Sequence, residues 1–231
     1  MDPGQGAALR CAGHTAGPFC GLPPSILAAF DRAKVPSSYA RGQILYQEGN
    51  PALGVYCIRE GLVKVYRIGA GGKEHILRIA GPGDLLGYRA ILAGLAHDHF
   101  AEAVSESRIC FLSADALRPL LQHSAEFSAL ALRLLERELC ETERRLLDSS
   151  QRKADERLLI FLLDCGEKLA AAGGARSEVP FTRQEIADYI GTAPETVIRG
   201  LRRLCRQKLI RVTRRVIEIP DPARLRRLLQ R

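Results

Sequence analysis

The sequence predicts an α+β chain in which short β-strands precede a long helix and a C-terminal helical unit. Three observations predict it. Glycine recurs at short intervals between residues 36 and 112, with alternating stretches between the glycines. From Ser113 onward the period changes to that of a helix. Near the C-terminus two short helical segments meet at Gly191, a helix-turn-helix pattern.

The elements follow in order. Residues 1–22 are rich in Gly, Ala and Cys and have no period, so they read as an arm. Pro23 and Pro24 lead into a short helix, Ser25 to Ala33. Stretches such as Val55-Tyr56-Cys57-Ile58 and Leu62 to Arg67 alternate, and with regular turn signals they predict a β-sandwich or barrel up to Leu112. Gly69 to Gly72 is a hairpin tip. Ser113 is placed to N-cap a short helix. A longer helix spans Ser124 to Ser149, where Leu132, Leu135, Leu139, Thr142, Leu146 and Ser149 recur at steps of three and four. That heptad seam predicts pairing with a second copy; the alternative is one helix packed on its own β-domain. Asp155 to Leu169 is amphipathic, and Ala170 to Ser177 reads as a link. The expected divisions are an arm (1–22), a β-domain (23–123), a dimerisation helix (124–150) and a C-terminal domain (151–231).

Composition narrows the class. A chain of 231 residues with 46% hydrophobic content suits two small domains. No apolar run approaches a membrane span, and the N-terminus lacks the pattern of a secretory signal, so a cytoplasmic location is expected. Seven scattered cysteines then read as thiols or metal ligands rather than a disulfide framework. The net charge is +8. Between Glu195 and Glu218 lie eight basic residues and no acid: Arg199, Arg202, Arg203, Arg206, Lys208, Arg211, Arg214 and Arg215. A solvated helix face normally mixes both signs, so this one-sign cluster predicts a phosphate-facing surface.

Thr182-Arg183-Gln184-Glu185 is a capping box, and Thr192-Ala193-Pro194-Glu195 reads as a second. Pro194 falls in the first helical turn, where its missing N–H costs nothing. Two helices, 183–190 and 193–207, are expected, with Ile186, Ala187, Ile190, Val197, Leu201 and Leu204 inward. The second presents Glu195, Thr196, Ile198, Arg199, Arg202 and Arg203. Arg donates to guanine O6 and N7, and Glu accepts from cytosine N4, so this helix is the expected base reader. Leu209 to Val212 and Val216 to Ile219 form a basic-tipped hairpin, a wing that places Arg214 and Arg215 on the phosphate backbone. An enzyme with Cys110 as nucleophile is the competing class. No nucleophile elbow, phosphate loop or paired-carboxylate motif supports it, and neither an enzyme nor a pure dimerisation module needs the acid-free basic face.

The chain resembles the Crp/Fnr family of bacterial transcription regulators over nearly its whole length. The resemblance rests on Gly81-Pro82-Gly83-Asp84-Leu85-Leu86-Gly87, Ala154 to Leu158, Thr182 to Gly191, and Glu195-Thr196-Val197-Ile198-Arg199. It implies a β-roll sensor like a cyclic-nucleotide-binding domain, a long dimerisation helix and a winged helix-turn-helix. It also implies a homodimer on palindromic DNA with TTGA- or GTGA-type half-sites, and RNA polymerase as partner. Glu195 and Arg199 match the family's base-reading pair. Ile198 departs from the Ser of the fumarate-nitrate type, and Pro194 from the Arg of the cyclic-AMP type.

Three effectors come with the resemblance. Cyclic nucleotide is disfavoured, because the ribose and phosphate positions read Tyr88-Arg89 and His97-Asp98-His99 with no phosphate-binding Arg. Haem on His75, His97 or His99 is the lesser alternative, a histidine more often being a solvated side chain. The favoured implication is the fumarate-nitrate type, a 4Fe-4S iron–sulfur cluster. Cys11-x2-His14-x5-Cys20 has the spacing of that type's N-terminal trio with His for the middle Cys, and Cys110 matches the β-roll ligand. His can replace Cys in some clusters. Cys57, Cys140, Cys165 and Cys205 read as small core residues.

Overall fold

The computed structural model describes residues 22–170, 178–213 and 216–229. Cys11, His14, Cys20, Arg214 and Arg215 lie outside the described residues. The chain opens with α1 (Pro24–Ala33), where Pro at the first turn pre-sets the backbone and Ile26 and Phe30, four apart, turn inward.

Eight strands follow: β1 (Val35–Tyr39), β2 (Ile44–Tyr46), β3 (Gly54–Glu60), β4 (Val63–Ile68), β5 (Glu74–Ala80), β6 (Leu85–Leu86), β7 (Phe100–Ala103) and β8 (Ser107–Ser113). They form two four-stranded sheets, ordered β1-β8-β3-β6 and β2-β7-β4-β5. Every described pairing in them is antiparallel. A short helix that periodicity did not reveal, α2 (Tyr88–Ala93), lies between β6 and β7, held between left-handed glycines. At the β3–β4 corner Gly61 has φ 89°, and a Cβ there would lie 2.2 Å from the Ser107 hydroxyl.

Strand alternation divides the core. Ile58, Val63, Val65, Leu86, Ala101 and Ile109 fill the space between the sheets. The neighbours of Ile58 and Ile109 point the other way, so Val55, Cys57, Cys110 and Leu112 meet Leu22, Phe30, Leu117 and Phe127. A third cluster joins Leu62, Tyr66, Ile76 and Ile79 to the C-terminal unit.

Helix α3 (Ala114–His123) is capped by Ser113, whose hydroxyl accepts from the Ala116 N–H, as expected. Helix α4 (Ala125–Gln151) is capped by Ser124. Its first turns pack Phe127, Leu130 and Leu134 on the β-roll, while Leu132, Leu135, Leu139, Thr142 and Leu146 remain exposed. One face of the helix thus packs on its own β-domain, and the leucines of the other face are left uncovered. Then come α5 (Ala154–Ala170), β9 (Glu178–Val179), α6 (Arg183–Ile190), α7 (Pro194–Arg206), β10 (Arg211–Val212), β11 (Ile217–Glu218) and α8 (Pro222–Leu229). The wing is a three-stranded sheet, β10-β11-β9, because Glu178–Val179 pairs with the hairpin. No helix among the described residues is long and apolar enough to cross a membrane.

Three expectations are corrected. Thr192 does not cap α7: the cap is Ala193, without a side-chain bond. Pro194 forces the residue before it into the extended region (φ −81°, ψ 146°), so the helix starts one residue late and Glu195 sits too early to close a box. Cys140 is exposed rather than a core residue, one position past the exposed Leu139, with its thiol donating to Glu136. His97 and His99 are buried, not solvated.

Candidate nucleic-acid interface and effector cavity

The interface begins with the capping box at Thr182. Its hydroxyl accepts from the Glu185 N–H at 3.1 Å, and Glu185 accepts from the Thr182 N–H at 2.8 Å. Gly191 ends α6 in the left-handed region (φ 65°) and turns the chain into α7. Val197, Gly200, Leu201 and Leu204 face inward, as spacing predicted for the three apolar residues. A Cβ at Gly200 would lie 2.7 Å from Leu158, so this glycine lets α7 pack closely on α5.

The opposite face of α7 presents Glu195, Ile198, Arg199, Arg202, Arg203 and Arg206 to solvent, with Thr196 half-buried at its edge. Arg203 reaches back to Asp155 of α5 at 2.5 Å. Among the described residues Arg199, Arg202 and Arg206 form no ion pair and are available to an anionic partner. Glu195 and Arg199, four apart, stand on one face.

The inner side of this unit is held to the β-roll. The Lys64 ammonium is buried among three carboxylates: Glu74 at 2.8 Å, Glu185 at 3.3 Å and Glu102 at 3.5 Å. Burial alone would lower its pKa, but these carboxylates raise it. Lys73 pairs with Asp188 at 3.1 Å, and the Arg145 guanidinium lies 4.2 Å from the Tyr189 ring centre. The helix-turn-helix is thereby oriented by β4, β5 and α4 with the arginine-rich face of α7 outward.

Between the β-roll, α4 and α5 lies a cavity of about 760 Å³. Its charged groups are paired across it. Glu138 of α4 accepts from Tyr88, from Arg89 at 2.9 Å and from Arg78 at 3.2 Å. Asp84 is met by Lys168 at 3.0 Å, Arg78 at 3.3 Å and Arg137 at 3.5 Å, and accepts from the Gly81 N–H. Burial would raise the Asp84 pKa; Lys168 and Arg78 hold it below the usual range. The motif Gly81 to Gly87 thus places an acid where the sensor meets the helices beneath it.

Asp98 pairs with Arg89 at 3.2 Å and with His99, whose other ring nitrogen meets the Tyr46 hydroxyl at 2.8 Å. His97 stacks on Tyr46 at 3.9 Å between ring centres. Burial, aided by the charge of His99, lowers the pKa of His97, and burial lowers that of His99. His75 is exposed. Neither Glu138 nor Lys64 was singled out by spacing, although Lys64 inside the apolar run Leu62 to Tyr66 was a signal for a buried charge.

Cys110 is buried on β8 directly opposite Cys57 on β3. Among the described residues no three His, Cys, Asp or Glu side chains converge as a metal site. Cys165 is buried and Cys205 half-buried.

A β-roll fused through a long helix to an outward-facing winged helix-turn-helix defines a DNA-binding transcription regulator with an effector-type sensor domain. Two family models match it: the cyclic nucleotide-binding domain over residues 36–124 and the Crp-like helix-turn-helix domain over residues 156–228. The chain is 32% identical over 183 residues to the "Anaerobic regulatory protein" of Pasteurella multocida, covering 78% of this chain and 67% of that one. It is 31% identical over 214 residues to the "CRP-like cAMP-activated global transcriptional regulator" of Mycobacterium tuberculosis, covering 92% and 96%. Among solved structures it superposes on FixK2 from Bradyrhizobium japonicum with a TM-score of 0.73 at 28% identity, covering 84% and 96%. The chain belongs to the Crp/Fnr family.

Proposed function

We propose that this regulator acts as a homodimer that reads a palindromic DNA site and responds to oxygen or redox state. The observation that carries the first part is the acid-poor outer face of α7, where Glu195 and Arg199 stand one turn apart beside Thr196, Ile198, Arg202 and Arg203. Arg199 reads a guanine and Glu195 the cytosine paired with it, within TTGA- or GTGA-type half-sites about 34–36 Å apart centre to centre. Arg214 and Arg215, which adjoin the described wing strands in sequence, hold the backbone. Contact with RNA polymerase turns occupancy into regulation. Replacing Arg199 by Ala should weaken binding to the selected site by about 1–3 kcal/mol and relax one base position. Equal loss on specific and random DNA contradicts base reading.

The sensing part is supported by the sequence spacing of Cys11, His14 and Cys20 and by relatives named for anaerobic regulation. Cys11, His14, Cys20 and Cys110 would hold an iron–sulfur cluster. Cys110 lies in the apolar cluster that also takes in Leu22, two residues after Cys20. Such a cluster supplies a centre that oxygen can oxidise. Phe127 and Leu130 at the start of α4 belong to the same apolar cluster as Cys110, so a change there bears on the dimer helix. Protein purified without oxygen should carry iron and sulfide and a visible charge-transfer band, both lost in Cys20→Ala and Cys110→Ala. Colourless protein after reconstitution with iron and sulfide refutes this reading and leaves the DNA-binding one intact.

A further inference from the structure

Ile198 is a β-branched apolar residue on the outer face of α7, 37% exposed. Such a residue is a mediocre helix former and gains nothing from water contact. The core side of the helix is already filled by Val197, Leu201 and Leu204. Every other large apolar side chain that stands exposed among the described residues belongs to the β-roll or to α4, so Ile198 is an isolated apolar group in the C-terminal unit. A protein-docking surface would need neighbours that it lacks. Its immediate companions are Glu195, three residues before, and Arg199 and Arg202, one and four after.

Isoleucine can neither donate nor accept a hydrogen bond, and it gains nothing beside phosphate. In the major groove the largest apolar feature of a base edge is the C5-methyl of thymine. We propose that Ile198 is a specificity-determining residue that packs on the methyl of a thymine next to the G·C pair read by Arg199 and Glu195. The proposal rests on α7 entering the groove. It adds a reading mode that the two hydrogen-bonding residues do not supply. It also gives a physical role to the position at which this chain carries Ile instead of the Ser of the fumarate-nitrate type. Closing an apolar contact between the two polar readers keeps water from their hydrogen bonds, so the three act on one patch of groove.

The test uses the full-length dimer. Preferred duplexes are first selected from random-sequence DNA. Deoxyuridine, which lacks only the methyl, then replaces each thymine of the selected half-site in turn. One position should weaken binding by about fourfold per half-site, the value for one buried methyl-sized group. Ile198→Ala should bind the thymine and uracil forms of that position equally, and Ile198→Val should keep most of the difference. Arg199→Ala should retain the thymine–uracil difference while losing guanine preference. A wild-type protein indifferent to uracil at every position overturns the proposal, as does discrimination that persists in Ile198→Ala. Those outcomes leave groove reading by Arg199 standing. A selection that returns no preferred sequence overturns the groove reading and this proposal with it.

Discussion

Placing Asp at Leu139 tests whether α4 is the dimer seam. In one protomer Leu132, Leu139 and Leu146 are each more than half exposed, at 67%, 59% and 70%, and Leu135 is 38% exposed. Covering these surfaces is equivalent to burying between two and three whole leucines per helix. At about 1.5–3 kcal/mol for each, that contributes roughly 3–7 kcal/mol per copy. The substitution removes about 1–2 kcal/mol of this from each copy and sets two carboxylates face to face. Several kcal/mol more are lost by desolvating them. A total on the order of 5 kcal/mol corresponds to a dimer dissociation constant raised more than a thousandfold. Because Leu139 belongs to none of the core clusters, the monomer should keep its circular dichroism spectrum, and its melting temperature should fall only by the lost dimer stabilisation. Sedimentation velocity at micromolar concentration should then show monomers, and specific DNA binding should fall with them. A tight dimer of the Leu139→Asp variant would refute the seam, and Leu139→Met, which conserves apolar volume, should dimerise normally.

Two further perturbations address the cavity wall and the histidines. Asp84→Ala leaves Lys168, Arg78 and Arg137 facing one another without their shared acid, and should cost about 3 kcal/mol. That is the low end for a buried pair, because Arg137 and Lys168 reach solvent. The folded-state pKa of Asp84 is depressed, so its contribution is present above the unfolded carboxylate value near 3.9 and is lost as pH falls through the folded value. A urea midpoint unchanged in Asp84→Ala at pH 7 would show that these charges are satisfied elsewhere. His97 and His99 also have depressed folded pKa values, so they are held neutral next to Asp98, Arg89 and Glu138. Their contribution is complete above the unfolded value near 6.5 and declines as pH drops below it. The urea midpoint should fall between pH 7.5 and 5.5, and His97→Gln combined with His99→Gln should flatten that slope. A midpoint equally pH-dependent in the double variant would assign the titration to other groups.

Local periodicity made much of this protein legible from sequence. The exposed stripe Leu132-Leu135-Leu139-Thr142-Leu146, the cap at Thr182, the turn at Gly191 and the shared outer face of Glu195 and Arg199 are all written in spacings of three and four residues, the distances over which a helix brings side chains together. The alternation of β3 likewise announced a two-faced strand. What local spacing could not contain was the pairing of distant segments. Asp84 meets Arg137 and Lys168, which are 53 and 84 residues further on in the chain, and Glu138 gathers Arg78, Tyr88 and Arg89 from another domain layer. Cys57 faces Cys110 only because β3 and β8 pair in one particular register. His97 and His99 passed for solvated residues until the sheets closed over Tyr46. A helix cap depends on a few consecutive dihedrals, whereas burial and charge pairing depend on which sheet faces which helix. That choice is made by the whole core at once, so only the tertiary structure decided it.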